Sequence, residues 1–381
     1  MLCPYCGQDK DLDELTDEHV LPQALGGALT PANPFKIKAC RACNNACGRH
    51  VDGPFCRSLL IHYARRSAGK TAVDMAADPI VPLGCMGSIK AWTGPDVCDL
   101  WIGPTGDSIY HFHDAYDGGR SIVGRPIVAK NADPGVIFAG VRATNPVWHP
   151  IIARSIKAEF PKAPVYYING VNEGVGPPYP PVPTALTHKY EWAASLNGQQ
   201  TPCSVELDPN CGDRFVAKVA LGMGSLVLGR AFDTSEYASK LRQFLWTREP
   251  DAREGLGVYG TAFSLVGKNK DMEELLSWRN CHTIMLMPAA GRLVLGINLY
   301  GSHGMAVVIS FDDAMWRGRV SDLGMVWVVC PGLRRYAGPM DFLDFYEDAK
   351  KVSPTGPLME LGARIDATPP LPPVHLPTSF E

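Results

Sequence analysis

Two Cys-x-x-Cys pairs near the amino terminus constrain this chain more than any other feature. Cys3 and Cys6 form the first pair, and Cys40 and Cys43 form the second. Two such pairs present four thiolates, the tetrahedral ligand set that zinc prefers. The 33 residues between the pairs (7–39) exceed the spacing of a usual zinc ribbon, so a further structure is expected inside the loop. We predict a structural zinc with every position filled by sulfur, which therefore does no chemistry.

The length of 381 residues, with 46% hydrophobic and 20% charged residues, suits a folded protein of two or three domains. The opening residues hold no apolar stretch able to act as a signal peptide. The best membrane candidate, residues 219–229, is about half the length of a spanning helix. We therefore expect a cytoplasmic protein without membrane contact, in which the 12 cysteines favour metal binding over disulfides. Cys47 and Cys56 are interpreted as small buried residues rather than zinc ligands.

Charge is distributed unevenly around the second cysteine pair. The net charge is only −3, so no nucleic-acid-binding surface is expected over the molecule as a whole. Residues 36–70 carry eight Lys or Arg and one Asp (8 − 1 = +7), whereas residues 1–35 carry one Lys and six acids (1 − 6 = −5). Such a run is either a solvated face or a phosphate-binding stripe. The candidate phosphate contacts are Lys36, Lys38, Arg41, Arg49, Arg57, Arg65 and Arg66.

The loop between the cysteine pairs, and the residues just after the second pair, carry polar residues in a particular order. In sequence they are Glu18, His19, Val20-Leu21-Pro22, Gly26-Gly27, Asn33 and, directly after Cys43, Asn44, Asn45, Gly48 and Asp52. Over about residues 1–60 this order resembles the HNH, or ββα-metal, endonuclease family. It is most similar to the zinc-bearing members, including phage junction-resolving endonucleases, whose cysteine pairs also bracket the acid-His pair.

The resemblance implies a metal-dependent nuclease. Phosphodiester hydrolysis requires an activated water and a cation that neutralises the charge growing at phosphorus. His19 is then the general base, because a neutral imidazole near pH 7 accepts a proton. Glu18 and Asn44 are the oxygen ligands of a catalytic Mg²⁺ or Mn²⁺, and Asn33 pins the loop. Since Asn44 directly follows the zinc ligand Cys43, the structural zinc fixes the place of the catalytic ion.

Departures from the family pattern leave alternatives open. The acid before the histidine is more often Asp, so Glu18 reaches one methylene farther and Asp17 is a rival ligand. Asn45 and His50 are each able to replace or join Asn44, because a helix that starts at the second cysteine pair brings residues several positions apart to one face.

The remaining residues carry no motif that assigns a role. Helices are expected over 214–230 and 235–246, the second capped by Asp233 or Thr234, with strands before and after them. The fold class is α+β: an N-terminal ββα-metal finger with structural zinc, then a larger mixed α/β region of one or two domains. The predicted divisions are 1–70 (nuclease finger and basic helix), 71–205 (β-rich), 206–350 (helices then strands) and 351–381 (proline-rich tail).

Three functional hypotheses follow. The first is a DNA endonuclease whose C-terminal region recognises the target or regulates the finger, in anti-phage defence by analogy with multidomain bacterial HNH proteins. The second is a ligand-gated nuclease whose C-terminal region senses a small molecule. The third is a non-catalytic zinc-finger module that binds nucleic acid. RNA stays open as a substrate, and double-strand cleavage would indicate a homodimer, because one finger normally cuts one strand.

Overall fold

The structure, a computed structural model, describes most of the chain. The described residues are 1–26, 33–56, 83–114, 134–168, 181–199, 201–203, 210–261 and 276–369, with the isolated residues 58, 61, 64, 65 and 81. Helices and strands are mixed throughout, which confirms the predicted α+β class. The chain forms two compact units. The first contains the described residues up to 56 and from 210 onward, and the second contains those from 58 to 203.

The amino-terminal part of the first unit has the ββα order that the sequence predicted. After a 3-10 turn at Leu12–Glu14, β1 (Leu15–His19) pairs antiparallel with β2 (Lys36–Cys40). α1 (Arg41–Cys47) starts where β2 ends, continues as a π-helical turn over Gly48–Asp52 and is followed by the short α2 (Gly53–Cys56). The helix therefore packs directly on the hairpin, and a second 3-10 turn, Gln23–Leu25, lies in the loop between the strands.

The second unit is built on a sheet of five strands in the order β3-β4-β5-β6-β7, antiparallel except for the last pair. Its elements are β3 (Gly84–Ser88), β4 (Val97–Ile102), β5 (Ser108–His113), β6 (Val136–Gly140), α3 (Trp148–Glu159), β7 (Val165–Tyr167) and α4 (Thr187–Leu196), the last preceded by a 3-10 turn at Thr184–Leu186. The sequence predicted neither α3 nor α4. α3 contributes Ile151, Ile152 and Ile156 to a core with Trp101 of β4.

Among the described residues, four helices follow in the first unit. They are α5 (Asn210–Leu228), α6 (Arg230–Asp233), α7 (Glu236–Trp246) and α8 (Pro250–Glu254). α5 and α7 confirm the two predicted helices, but the predicted cap was wrong. Ser235, not Asp233 or Thr234, caps α7 by accepting a hydrogen bond from Ala238 N at 3.1 Å. Its extended backbone lets the hydroxyl reach that amide, whereas the two preceding residues still belong to the α6 turn.

A six-stranded antiparallel sheet of order β13-β12-β9-β10-β11-β8 completes this unit. Its strands are β8 (Gly260–Thr261), β9 (His282–Ala289), β10 (Arg292–Leu299), β11 (His303–Ser310), β12 (Met325–Cys330) and β13 (Arg335–Asp341), with 3-10 turns at Asp313–Met315 and Pro331–Leu333. α9 (Phe342–Ala349) and α10 (Met359–Ala367) follow. The proline-rich end from residue 370 lies outside the described residues. In the part of the chain that is described, no helix is long and apolar enough to cross a membrane.

α5 packs closely against the residue that follows β1, and a glycine of α5 lies at the contact. A Cβ on Gly222 would lie 2.7 Å from Cγ1 of Val20, the residue after β1, so only glycine allows this approach. On the same helix, the Phe215 ring stacks on Phe55 of α2 with centroids 3.8 Å apart and an interplanar angle of 8°. Val20, Phe55 and Phe215 are fully buried. The core under the hairpin is therefore completed by a helix that is distant in sequence.

Candidate metal centre and catalytic site

The two cysteine pairs converge into one cluster. One sulfur atom from each of the four residues lies within 4.8 Å of the others, and among the described residues this is the one group of three or more His, Cys, Asp or Glu side chains able to share an ion. Sulfurs bound tetrahedrally to zinc at about 2.3 Å lie about 3.8 Å apart. The cluster therefore fits the predicted structural zinc. Cys47 and Cys56 are buried outside it, as expected.

Hydrogen bonds favour the ionised form of Cys3, whereas burial raises the pKa of Cys6 and the hydrogen bond to Cys3 raises the pKa of Cys43. Cys40 N donates to Cys3 Sγ at 3.3 Å, and Cys43 N donates to Cys40 Sγ at 3.5 Å. The thiol of Cys43, together with backbone hydrogen bonds, lowers the pKa of Cys3 to about 4 against the opposing effect of burial. Zinc binds the thiolate form, so loading the site would release the protons that the other cysteines carry in the free protein.

α7 holds the first cysteine pair from outside. Arg242 Nε donates to Pro4 O and Trp246 Nε1 donates to Tyr5 O, both at 2.8 Å. Gly7 has φ +70°, and the Arg242 guanidinium lies 3.0 Å from the position that its Cβ would occupy. Because these bonds go to backbone carbonyls between the two cysteines, α7 fixes the loop that carries the sulfurs.

His19 lies at the end of β1, opposite Lys36 of β2. Its side chain is half-buried. Burial, assisted by the charge of Lys36, lowers the pKa of His19 below its ordinary value of 6.5. The imidazole is therefore neutral at pH 7 and able to accept a proton, as its predicted role as general base requires.

Asn44, on α1, is hydrogen-bonded to the strand that carries His19. Its Nδ2 donates to Thr16 Oγ1 and to Asp17 O, both at 3.0 Å. These two bonds orient the amide, so that Oδ1 is the atom able to bind a cation. Because Asn44 follows Cys43, the cysteine cluster and β1 fix its position together.

Glu18 points into the protein. Its side chain is 6% exposed, and Oε1 accepts from Lys218 Nζ at 2.7 Å and from Tyr5 OH at 3.4 Å. Burial alone would lower the pKa of Lys218, but the carboxylates of Asp52 and Glu18 raise it, so the ammonium stays charged. A carboxylate has two oxygens, and the second oxygen of Glu18 is the one that remains for the predicted role as metal ligand.

Asn33 and the predicted alternative metal ligands differ in burial and in their contacts. Asn33 Oδ1 accepts from Phe35 N at 2.9 Å and so shapes the chain before β2, in keeping with its predicted role of pinning the loop. Asn45 is exposed on α1. His50 is half-buried in the π-helical turn, and burial, with the charge of Arg248, lowers its pKa. Asp17 is an exposed residue of β1.

The predicted basic stripe is only partly described. Lys36, Lys38, Arg41 and Arg49 are all exposed. Asp17 pairs with Lys36 at 3.3 Å and with Lys38 at 2.7 Å, so two of these charges are partly neutralised in the free protein. Arg65 is half-buried and belongs to the second unit, whereas Arg57 and Arg66 lie outside the described residues.

Sequence reasoning missed several residues that organise the site. Thr16 and Tyr5 contact Asn44 and Glu18 but belong to no motif. Lys218 lies in a helix that the sequence predicted, but no role was assigned to it. The available signal was one lysine within the mainly apolar run of residues 215–228, because a buried ammonium requires a partner.

Comparison with known protein families agrees with this geometry. Residues 3–60 match the HNH endonuclease family. The predicted resemblance is thereby confirmed for this segment, and the match supports a nuclease function that acts on nucleic acid. The HNH segment ends near α2, so the family match says nothing about the remaining residues. Comparisons with curated proteins and with solved structures gave no match.

Proposed function

We propose that this chain is a metal-dependent endonuclease that hydrolyses phosphodiester bonds of DNA. One observation carries the proposal: Asn44, directly after a cysteine of the metal cluster, is hydrogen-bonded to the strand that ends in a neutral His19. This is the arrangement that joins a structural metal, a proton acceptor and an oxygen ligand in one small unit. The HNH family match adds the expected reaction class.

In the proposed mechanism His19 takes the proton from the water that attacks phosphorus. Asn44 Oδ1 and the second oxygen of Glu18 would hold Mg²⁺ or Mn²⁺, with Asp17 as the rival ligand; oxygen donors suit these hard cations. Such a cation would neutralise charge on the phosphate and stabilise the departing oxygen. Cys3, Cys6, Cys40 and Cys43 would hold a zinc that keeps Asn44 in place.

The exposed basic residues supply the phosphate contacts. Lys36 is the cross-strand neighbour of His19, and its charge acts on the imidazole, so we assign it a contact with the phosphate next to the scissile bond. Asp17 competes with phosphate for Lys36 and Lys38, and DNA binding would exchange one anionic partner for another. Contacts of this kind bind the phosphate backbone of DNA and do not discriminate between bases. Target selection or regulation is therefore proposed for the rest of the chain.

A plasmid assay tests this function. The zinc-loaded chain is incubated with supercoiled DNA and Mg²⁺ or Mn²⁺, beside His19→Ala, His303→Ala and a chelator control. We expect nicking by the parent and by His303→Ala, a loss of about 100-fold or more in His19→Ala, and none with chelator. His303 is a matched histidine at the start of β11, outside the proposed site.

Two outcomes would contradict the proposal. Equal nicking by His19→Ala would remove His19 from the chemistry. Binding of DNA or RNA without cleavage under either metal would instead support a non-catalytic zinc-finger module.

A further inference from the structure

Lys218 makes an unusual set of contacts with the HNH segment. Its side chain is fully buried on α5, and its Nζ lies 2.7 Å from Glu18 Oε1 and 3.3 Å from Asp52 Oδ2. The same ammonium donates to the carbonyl oxygens of His19 at 2.7 Å and Val20 at 3.0 Å. All four partners belong to the HNH segment and are 166 to 200 residues away in sequence.

These contacts act on the backbone as well as on side chains. The carbonyls of His19 and Val20 are consecutive, so one ammonium fixes the two peptide planes that follow the imidazole-bearing residue. Gly222 lies one helical turn after Lys218 and meets Val20 at close range. α5 therefore restrains the end of β1 by hydrogen bonds and by packing at the same place.

Fold stability alone is a weak explanation for such a residue. Burying an ammonium costs several kcal/mol, and well-packed apolar side chains often replace buried ion pairs without loss of stability. α5 already buries Phe215, Val216, Val219 and Leu221 in the core. An apolar residue at position 218 would neither bind the two carbonyls nor orient one oxygen of Glu18.

We propose that Lys218 is a positioning residue of the nuclease. Its ammonium holds the backbone of His19 and Val20 and engages Oε1 of Glu18, which orients the imidazole and leaves the second carboxylate oxygen for the catalytic ion. Lys218 itself touches neither substrate nor the reacting atoms. The proposal rests on the proposed nuclease function and assigns a part of the catalytic machinery to a helix outside the family match.

The test compares the full-length parent with Lys218→Met, which keeps the length of the side chain and removes its charge. Lys218→Met/Asp52→Asn also removes one of the two carboxylates left without a cation, which protects the fold. Lys240→Met is the matched control, because Lys240 makes an exposed pair with Glu236 on α7. Each variant is measured for zinc content, melting temperature, kcat and KM on plasmid, and amide exchange.

We expect both Lys218 variants to retain zinc and to lose about 10- to 100-fold in kcat with little change in KM, as for other residues that orient a ligand. Amide exchange over residues 19–21 should rise about 10-fold or more, while exchange in β9 and β10 stays at the parent level. Lys240→Met should match the parent in every measurement.

The outcomes separate the two proposals. A folded, zinc-loaded Lys218 variant with parental kcat and parental exchange at residues 19–21 overturns the positioning role. Loss of zinc and activity together in both variants, with parental kcat per zinc-loaded molecule, also overturns it in favour of a structural role. If the parent does not cleave DNA, the nuclease proposal is wrong. Faster amide exchange at residues 19–21 in the Lys218 variants would then still show that Lys218 restrains the end of β1.

Discussion

At the scale of single residues, two carboxylates that share one ammonium differ in their environments. Glu18 contacts Lys218 at 2.7 Å, whereas Asp52 contacts it at 3.3 Å and keeps a buried Oδ1 for which no hydrogen-bond partner is found among the described residues. Burial raises the pKa of Asp52 to about 6, against the opposing charge of Lys218. Asp52 thus takes up a proton under mildly acidic conditions.

Replacing Asp52 should change how stability depends on pH. Its pKa rises from 3.8 to about 6 on folding, so the folded state binds the proton more tightly and the free energy of unfolding falls as pH increases across that window. The expected fall is on the order of 2–3 kcal/mol between pH 4 and pH 7. Asp52→Asn lacks this titration. Its free energy of unfolding should therefore rise relative to that of the parent by the same amount between pH 4 and pH 7.

Denaturant unfolding of the zinc-loaded proteins at several pH values measures the difference. Asp17→Asn is the control, because Asp17 is exposed and its pKa is lowered by Lys38 and Lys36, which gives an effect of opposite sign. A parent-to-variant difference that stays constant for Asp52→Asn from pH 4 to pH 7 would contradict the prediction.

At the scale of elements, the contact between α5 and β1 depends on a glycine. Alanine usually stabilises an open helical position by about 0.5–1 kcal/mol relative to glycine. At position 222 the added methyl would meet Val20 at 2.7 Å, and Val20 is a fully buried, β-branched side chain with few alternative rotamers. Helix propensity and packing therefore change the free energy of unfolding in opposite directions at this position, and the effect of packing is larger.

We predict that Gly222→Ala lowers the free energy of unfolding by about 1–3 kcal/mol. It should also lower nicking, because Val20 directly follows His19. Gly255→Ala is the matched control: no atom lies within 4 Å of its Cβ position, and its φ is −74°. Denaturant unfolding and the plasmid assay provide the measurements. A Gly222 variant at least as stable as the Gly255 variant would falsify the close packing.

At the scale of the whole molecule, the HNH segment shares its compact unit with the residues from 210 onward. Phe55 stacks on Phe215, Trp246 binds the Tyr5 carbonyl, and Lys218 neutralises Glu18. The division at residue 70 stays a prediction of the sequence. These contacts indicate that the finger would lose part of its core if it were separated there.

A fragment of residues 1–70 should therefore release zinc to a competing chelator about 10-fold or more faster than the full chain, because metal affinity includes the free energy of folding the site. A chain that ends at residue 369 is the control and should retain zinc as the parent does, since none of these contacts involves the removed residues. Colorimetric zinc transfer measures both rates. A fragment with parental zinc retention and parental nicking would show that the finger is an independent domain.

The sequence alone determined the parts of the site that are close in the chain. The spacing of the two cysteine pairs predicted the metal cluster, because it depends on local spacing and residue chemistry. The order of the Glu-His pair and the Asn after the second pair predicted the ββα order through the resemblance to the HNH family. The strong apolar runs of α5, β9 and β10 were likewise visible as periodic or buried segments. α3 was not, since Pro150 in its first turn resembles a loop signal although a helix tolerates it there.

Tertiary structure alone decided which residues surround the motif. The distant partners of Glu18 and of the first cysteine pair are Lys218, Arg242 and Trp246. Lys218 is 200 residues away from Glu18, Arg242 is 238 from Pro4, and Trp246 is 241 from Tyr5. No spacing rule links positions so far apart, because their meeting depends on how α5 and α7 pack after the whole unit has folded. Local sequence therefore specified the chemistry of the site, and long-range packing specified its orientation and its charge balance.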